Sequence, residues 1–430
     1  MKVYLDSIGC RLNHSEIETM ARQFLVNGHD IVTQPEEADK VIINTCAVTA
    51  AAARDARSHT RRIHRANPTT EIVLTGCYAT IAPDEIAQVQ GVGRVVANTH
   101  KTQLVQLLDP QARIDLPLFD QEPIMREFLA GSMGAHTRAF IKVQDGCDNK
   151  CTFCVTTVAR GAGQSRHPGD VVAEIKALTE AGYQEAVLTG VHLGSYGRDL
   201  NNNANLRALV RAILWHTDIP RLRLSSLEPW DIPAGFFDLW SDGRLLPHLH
   251  MPLQSGSDAI LRRMTRQTSR ANFRQLAAVA RAAIPNLNLT TDIIVGFPGE
   301  TEMDFAQSLA YVRDLNFTRL HVFSYSPRPG TAASQFPNQI PDRVKKERAR
   351  QMIALGHELS QAFHEKYVGQ TVNVLWETAV GADTNGLRWL GYTDNYIRVT
   401  AVGPADLFNR VTAVRIVEAR PDGISADNGS

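Results

Sequence analysis

Six cysteines are the residues of this 430-residue chain best suited to chemistry, and three of them lie together. In FIKVQDGCDNKCTFC, Phe140 to Cys154, the thiols of Cys147, Cys151 and Cys154 are spaced C-x3-C-x2-C, with Gly146 before the first and Phe153 before the last. Three thiolates this close on one loop can converge on one face of an iron-sulfur cube, leaving one iron without a protein ligand. Such an open iron can chelate a small molecule and pass it an electron, whereas a fully thiolate-capped cluster mainly transfers electrons outward. The competing reading is a zinc knuckle. Structural zinc takes four ligands, no fourth cysteine lies nearby, and His136 and His167 flank the loop at unsuitable spacing.

The other three cysteines are far apart in sequence. Over residues 1 to about 108, short apolar runs (KVYLDSIG, KVIINT, EIVLTG, RVVAN) alternate with amphipathic stretches, a pattern that predicts a parallel sheet covered by helices. Cys10, Cys46 and Cys77 each fall just past the carboxyl end of a predicted strand. Those ends share one sheet edge, where open α/β sheets bind ligands. A single free cysteine is commonly just a small buried hydrophobe. Three at equivalent strand ends predict a second iron-sulfur cluster, again one ligand short. In the helix predicted after Cys46, Arg54, Arg57, Arg61 and Arg65 fall along one face, suited to tracking a phosphate backbone or simply to solvation.

Residues 109 to about 135 lack a clear period and read as a linker. From 136 to about 366, strand-like and helix-like segments alternate through about six β/α units, enough for an open barrel and too few for eight-fold closure. Reactive groups in such barrels sit past the carboxyl ends of strands. Besides the cysteine loop, those ends hold Thr189 and Gly190, Glu228, Gln254 to Gly256, and Gly296 to Glu300. Gly190 and Gly296 let backbone approach a ligand, and Glu228 and Gln254 can hydrogen-bond a ribose or amino group. GFPGE is equally a turn, and Glu228 equally a paired acid. From 367 to 430, alternating apolar and polar residues separated by Gly, Asn and Asp predict a small antiparallel β-barrel.

Lys plus Arg and Asp plus Glu are equal at 45 each, so composition does not announce a nucleic-acid binder. The N-terminus is too polar for a signal peptide and no apolar stretch is long enough to span a bilayer, so the expected location is the cytoplasm, with no membrane partner. Six cysteines without a secretion signal favour metal or redox chemistry over disulfides.

The cysteine loop resembles the radical S-adenosylmethionine (SAM) signature, in which the open iron binds SAM and the aromatic, here Phe153, lies against its adenine. The whole chain resembles the radical SAM methylthiotransferases through GCRLN (Gly9 to Asn13), NTCAVT (Asn44 to Thr49), LTGCYA (Leu74 to Ala79), DGCDNKCTFC (Asp145 to Cys154), RLSSLEP (Arg223 to Pro229), PLQSGSD (Pro252 to Asp258), TDIIVGFPGETE (Thr291 to Glu302) and FSYSPRPGTAA (Phe323 to Ala333). GCRLN and TGVHLGSYG (Thr189 to Gly197) look most like the branch acting on N6-threonylcarbamoyladenosine at position 37 of tRNA. The resemblance implies two 4Fe-4S clusters, one radical SAM and one auxiliary, on the two cysteine sets. It also implies two SAM molecules, a tRNA anticodon loop as substrate, an external electron donor, a sulfur source, and a C-terminal TRAM-like RNA-binding barrel. Siblings acting on N6-isopentenyladenosine or on a ribosomal-protein aspartate are the alternatives, and a non-catalytic iron-sulfur RNA-binding or electron-carrier protein is the alternative outside enzymes. In the C-terminal barrel Trp376, Trp389, Tyr392 and Tyr396 can stack on bases or pack in its core. The segment from Tyr367 onward has five Arg and seven Asp or Glu, so RNA contact is expected to draw on cations elsewhere, such as Lys345, Lys346, Arg348 and Arg350.

Overall fold

Val41, Ile42 and Ile43 form an unbroken apolar run at 0% exposure, as befits a strand covered on both faces. They lie in β3 (Lys40–Thr45), at the centre of a five-stranded parallel sheet of order β2-β1-β3-β4-β5, with β1 Lys2–Ser7, β2 Asp30–Ile31, β4 Glu71–Gly76 and β5 Val92–Val96. The two-residue β2 is too short to show a period. The computed structural model describes residues 1–113, 137–200, 203–383 and 386–427. Residues 114–136, most of the predicted linker together with His136, lie outside that description. Its first residues are held to the N-terminal sheet, where His29 Nε2 meets Asp109 at 2.9 Å and Asn27 donates to the Arg113 carbonyl at 3.0 Å.

Six parallel strands then form an open barrel: β6 (Arg138–Asp145), β8 (Glu185–Gly190), β9 (Arg221–Leu224), β10 (His248–His250), β11 (Asn288–Val295) and β12 (Arg319–Ser324). A bridge between Ser226 and His250 joins the β6-β8-β9 and β10-β11-β12 halves. A two-residue strand, β7 (Gln164–Ser165), pairs antiparallel with β6. Helices Pro168–Glu180, Leu206–His216, Arg270–Ala283, Glu302–Leu315 and Asp342–Glu365 cover the outside. Between β9 and β10 the expected helix is replaced by two 3-10 turns, Pro229–Asp231 and Phe236–Ser241. Pro229, Pro233 and Gly235 interrupt this segment, and proline removes a helical donor. The helix after β7 starts at Pro168 and is capped by His167, and Asp170 in its first turn complements the dipole.

At the C-terminus β13 (Thr371–Asp383), β14 (Gly386–Thr393), β15 (Arg398–Gly403), β17 (Gly423–Asp427) and β16 (Val411–Arg420) close into a barrel in that order. All its pairings are antiparallel except β15 with β17. Trp376 and Trp389 are buried in its core, their indole N–H groups donating to Thr412 Oγ1 and the Pro404 carbonyl. Tyr392 and Tyr396 stack on each other at 4.8 Å beneath the Arg138 guanidinium. The indoles are therefore core residues and the tyrosines stack within the chain. This barrel sits against the amino ends of the central strands, where Arg138 pairs with Glu377, Arg221 with Asp394, and Asn288 donates to the Asn395 carbonyl at 2.6 Å.

Candidate functional site

Seen from the strands, the cysteine loop is a continuation of β6. Gly146, the residue after that strand, has φ +70°, and a Cβ there would lie 1.9 Å from the Ala162 carbonyl oxygen, so only glycine makes the turn. The Cys147 N–H donates to the Gly161 carbonyl at 3.0 Å and Cys154 N–H to that of Cys151 at 3.0 Å, curling the loop on itself. Backbone N–H groups already point at two of its sulfurs: Asn149 at Cys147 Sγ and Thr156 at Cys154 Sγ, both 3.4 Å.

Side chains from other segments of the barrel approach the sulfurs of this first set. Arg266, buried, lies 3.8 Å from Cys151 Sγ and forks onto Glu228 at 2.6 and 3.1 Å, with its guanidinium over the Trp230 ring. His192 Nδ1 lies 3.7 Å from Cys147 Sγ, while its Nε2 pairs with buried Asp231, which also holds Arg198. Burial opposes charge on His192, but its hydrogen bonds to Asp231 and Cys147 outweigh that and push the imidazole up to about 9. Burial also pushes the Cys151 thiol up to about 11 despite Arg266.

The second set is brought together by topology. Cys10, Cys46 and Cys77 lie beyond the ends of β1, β3 and β4, adjacent strands of one sheet, and Cys46 is close enough to sense the charge of both Cys10 and Cys77. Cys10 is exposed, Cys46 and Cys77 buried. The backbone crosses from β4 to Cys77 through Gly76, at φ +97°, where a Cβ would lie 2.3 Å from the Thr45 carbonyl. Val48 N–H points at Cys46 Sγ at 3.5 Å, and burial pushes that thiol up to about 11.

Among the described residues no three His, Cys, Asp or Glu side chains gather to hold a single metal ion. Two sets of three thiols, with N–H donors aimed at their sulfurs and glycine turns behind them, have the donor chemistry an iron-sulfur cluster requires. Thiols raised in pKa must lose their protons to bind, so loading releases acid.

The other residues singled out in the sequence are spread around these sets. Phe153 packs against an apolar group containing Met264, Phe297 and Tyr325. Thr189 is buried, and next to it Gly190 meets Gln144, whose amide oxygen accepts from His192 N–H at 2.8 Å. Glu228 is a paired acid, committed to Arg266. Gln254 has φ +73° and bridges to β11 through its backbone. Gly296 N–H donates to Glu300, whose carboxylate is held by Arg348 at 2.7 Å, so GFPGE is a braced turn. Of the four arginines expected along one face of helix Ala50–Ala66, Arg54, Arg61 and Arg65 are exposed, while Arg57 is taken by Tyr78 and Glu85 at 2.5 and 2.7 Å. On helix Asp342–Glu365 Lys345 and Arg348 are buried, Arg350 pairs with Glu347, and Lys346 is exposed. Sequence reasoning missed Arg266, His192 and Asp231. His192 lies inside the quoted stretch TGVHLGSYG and Asp231 two residues past RLSSLEP, whereas Arg266 carries no local signal, because its partners come from distant strand ends.

The class follows from fold and site together. Residues 141–312 match the radical SAM superfamily and residues 2–97 match UPF0004, described as an uncharacterized protein family. Radical SAM membership implies a 4Fe-4S cluster and S-adenosylmethionine. A solved radical S-adenosylmethionine methyltransferase, TsrM from Kitasatospora setae, shares the fold at 15% identity, with TM-score 0.57 over 77% of this chain and 75% of that one. Threonylcarbamoyladenosine tRNA methylthiotransferase MtaB of Bacillus subtilis is 34% identical over 423 residues, 97% of this chain and 94% of its own. The tRNA-2-methylthio-N(6)-dimethylallyladenosine synthase of Bacillus velezensis is 31% identical over 439 residues, 99% of this chain and 86% of its own. The chain belongs to the radical SAM methylthiotransferase family and is an enzyme.

Proposed function

We propose that the protein is a tRNA methylthiotransferase that converts N6-threonylcarbamoyladenosine at position 37 to its 2-methylthio derivative. The observation that carries this reading is the 34% identity to the Bacillus subtilis MtaB over nearly the full length of both chains. Cys147, Cys151 and Cys154 would hold the cluster that engages SAM, with Phe153, Thr189, Gly190, Gln254 and Gly296 around the cofactor and Glu228 acting through Arg266. Cys10, Cys46 and Cys77 would hold the auxiliary 4Fe-4S cluster. When bound, these groups supply what acid-base side chains cannot, reductive cleavage of SAM and a sulfur to insert at an unreactive C–H bond.

This chain's own residues do the positioning. Arg266 and the Asp231–His192 pair place positive charge and N–H donors beside the first set, stabilising thiolate over thiol. An anticodon-loop purine suits such a site, since single-stranded loops let a base be splayed out to expose its carbon. Exposed Arg54, Arg61 and Arg65 supply phosphate contacts. Electron donor and sulfur source are external.

The dimethylallyladenosine reading is second, favoured by the 31% identity over 99% of this chain. Mass spectrometry of tRNA nucleosides from cells with and without the gene separates the two. Loss of the methylthio-threonylcarbamoyl nucleoside is expected; loss of the methylthio-isopentenyl form would install the sibling reading, and an unchanged nucleoside set would turn attention to the ribosomal protein.

A further inference from the structure

The two cysteine sets are tied to each other by one buried polar network. Its hub is Arg160, six residues past Cys154 at the end of the short helix Thr156–Arg160, with a side chain 3% exposed. Its guanidinium donates back to Asp145 at 2.9 Å, so the residue before Gly146 and the helix after Cys154 are pinned to each other. The same group reaches into the N-terminal sheet domain, donating to Glu16 Oε1 and to Asn13 Oδ1, each at 2.9 Å.

Each strand-end cysteine has its own asparagine in this network. Asn13, whose amide oxygen accepts from Arg160, lies 3.7 Å from Cys10 Sγ through the same oxygen. Asn44, two residues before Cys46, donates to Glu16 Oε2 at 2.9 Å and accepts from Lys101 at 3.2 Å. Asn98 donates to the Ala159 carbonyl at 2.7 Å, beside Arg160, and approaches Cys77 Sγ at 3.8 Å. Three separate strand ends are thereby referenced to one short helix that the other cysteine loop positions. The charge is also close: one shared acceptor, Asn13 Oδ1, separates the Arg160 guanidinium from Cys10 Sγ. Glu16 is bound by Arg160, by Lys101 at 2.8 Å and by Lys142 at 3.5 Å, so the network is locally richer in cations than in acids.

We infer that Arg160 is a positioning residue for the strand-end set: through it the folded C-x3-C-x2-C loop fixes the register of Cys10, Cys46 and Cys77 and supplies the positive charge their cluster needs. This rests on the reading that the set holds an auxiliary cluster. Net charge and hydrogen bonding near the sulfurs set a cluster's reduction potential, so loss of a buried cation makes the second cluster harder to reduce. A residue with a merely structural role would not move that potential.

The test is anaerobic reconstitution of the full chain with iron and sulfide, reading iron per chain, the spectral response to SAM, and the reduction potential of each cluster by electron paramagnetic resonance. Wild type is expected to hold about eight irons. Arg160→Gln should keep the SAM response, lose iron toward about four, and show a more negative potential in whatever second cluster remains. Arg160→Lys should recover part of both. Asn98→Ala removes no charge, so it covers the case in which Arg160→Gln fails to fold; it should lower second-set iron with an unchanged circular dichroism spectrum of the metal-free protein. Should Arg160→Gln, or Asn98→Ala in its place, retain all the iron with the second potential unmoved, the inference is wrong while the two-cluster reading stands. A wild-type chain holding only about four irons overturns both.

Discussion

The two cysteine sets are assembled by opposite routes. Cys147, Cys151 and Cys154 come from one eight-residue stretch whose geometry is set by a glycine turn and two backbone hydrogen bonds. Cys10, Cys46 and Cys77 come from three strand ends, and their meeting depends on the pairing of β1, β3 and β4. A local set can tolerate changes in the sheet domain; a dispersed set inherits every error in strand register. The first set is thus built on one loop and braced by Arg266 and His192, whereas the second is built on three strand ends and linked to that loop by the hydrogen bonds of Arg160 and Asn98.

The largest effects should separate the two sets by function. Cys147→Ala is expected to reduce SAM cleavage to background, whereas Cys77→Ala should leave cleavage partly intact and stop thiolation, both followed by chromatography of deoxyadenosine and modified nucleoside. If both variants kept full thiolation, the division between the sets would be broken. Next come the glycine turns. Gly146→Ala and Gly76→Ala each force a Cβ into a carbonyl oxygen, but iron analysis should find the first variant depleted of the SAM-responsive cluster and the second of the other. Identical losses in the two would show that the sets are not separately built.

A third change tests whether position, rather than burial alone, defines the site. Glu185, at the amino end of β8, is fully buried between Arg221 and Arg223, donors at 3.0 and 2.7 Å. Glu185→Gln leaves those cations partly uncompensated and should cost about 3–5 kcal/mol of stability, with both cysteine sets still able to load. Burial alone would raise the Glu185 carboxyl, but Arg223 and Arg221 outweigh it and hold it at about 2. The group's contribution is therefore complete above its unfolded value near 4.5 and is lost as pH falls through about 2. Denaturant unfolding of metal-free protein across that window should show wild type converging on the variant. A gap that persisted unchanged down to pH 2 would remove the ion pair as its cause.

The smallest effect concerns RNA. Arg61→Ala should lower the salt slope of tRNA binding by about 0.7–0.9, one phosphate contact, while Arg57→Ala, already engaged by Glu85, should leave it unchanged. Equal slopes for the two variants would mean that the Arg57 pair opens on binding.

The sequence by itself determined the covalent spacing of the first set, the strand-end placement of the second, the alternation that makes a parallel sheet and a six-strand open barrel, and the small β-barrel that follows. These are legible because spacing and periodicity act within a few residues of themselves. Even the helix missing between β9 and β10 is written in Pro229, Pro233 and Gly235, though the six-unit reading passed over it. Only the tertiary structure decided which polar groups are committed. Glu228 is the counter-ion of Arg266, Arg57 belongs to Glu85, Trp376 and Trp389 are core, and Arg160 joins the two cysteine sets. The physical reason is that a charge or an aromatic ring is assigned its role by whichever partner desolvates it, and those partners lie on other strands, at sequence distances no local pattern records.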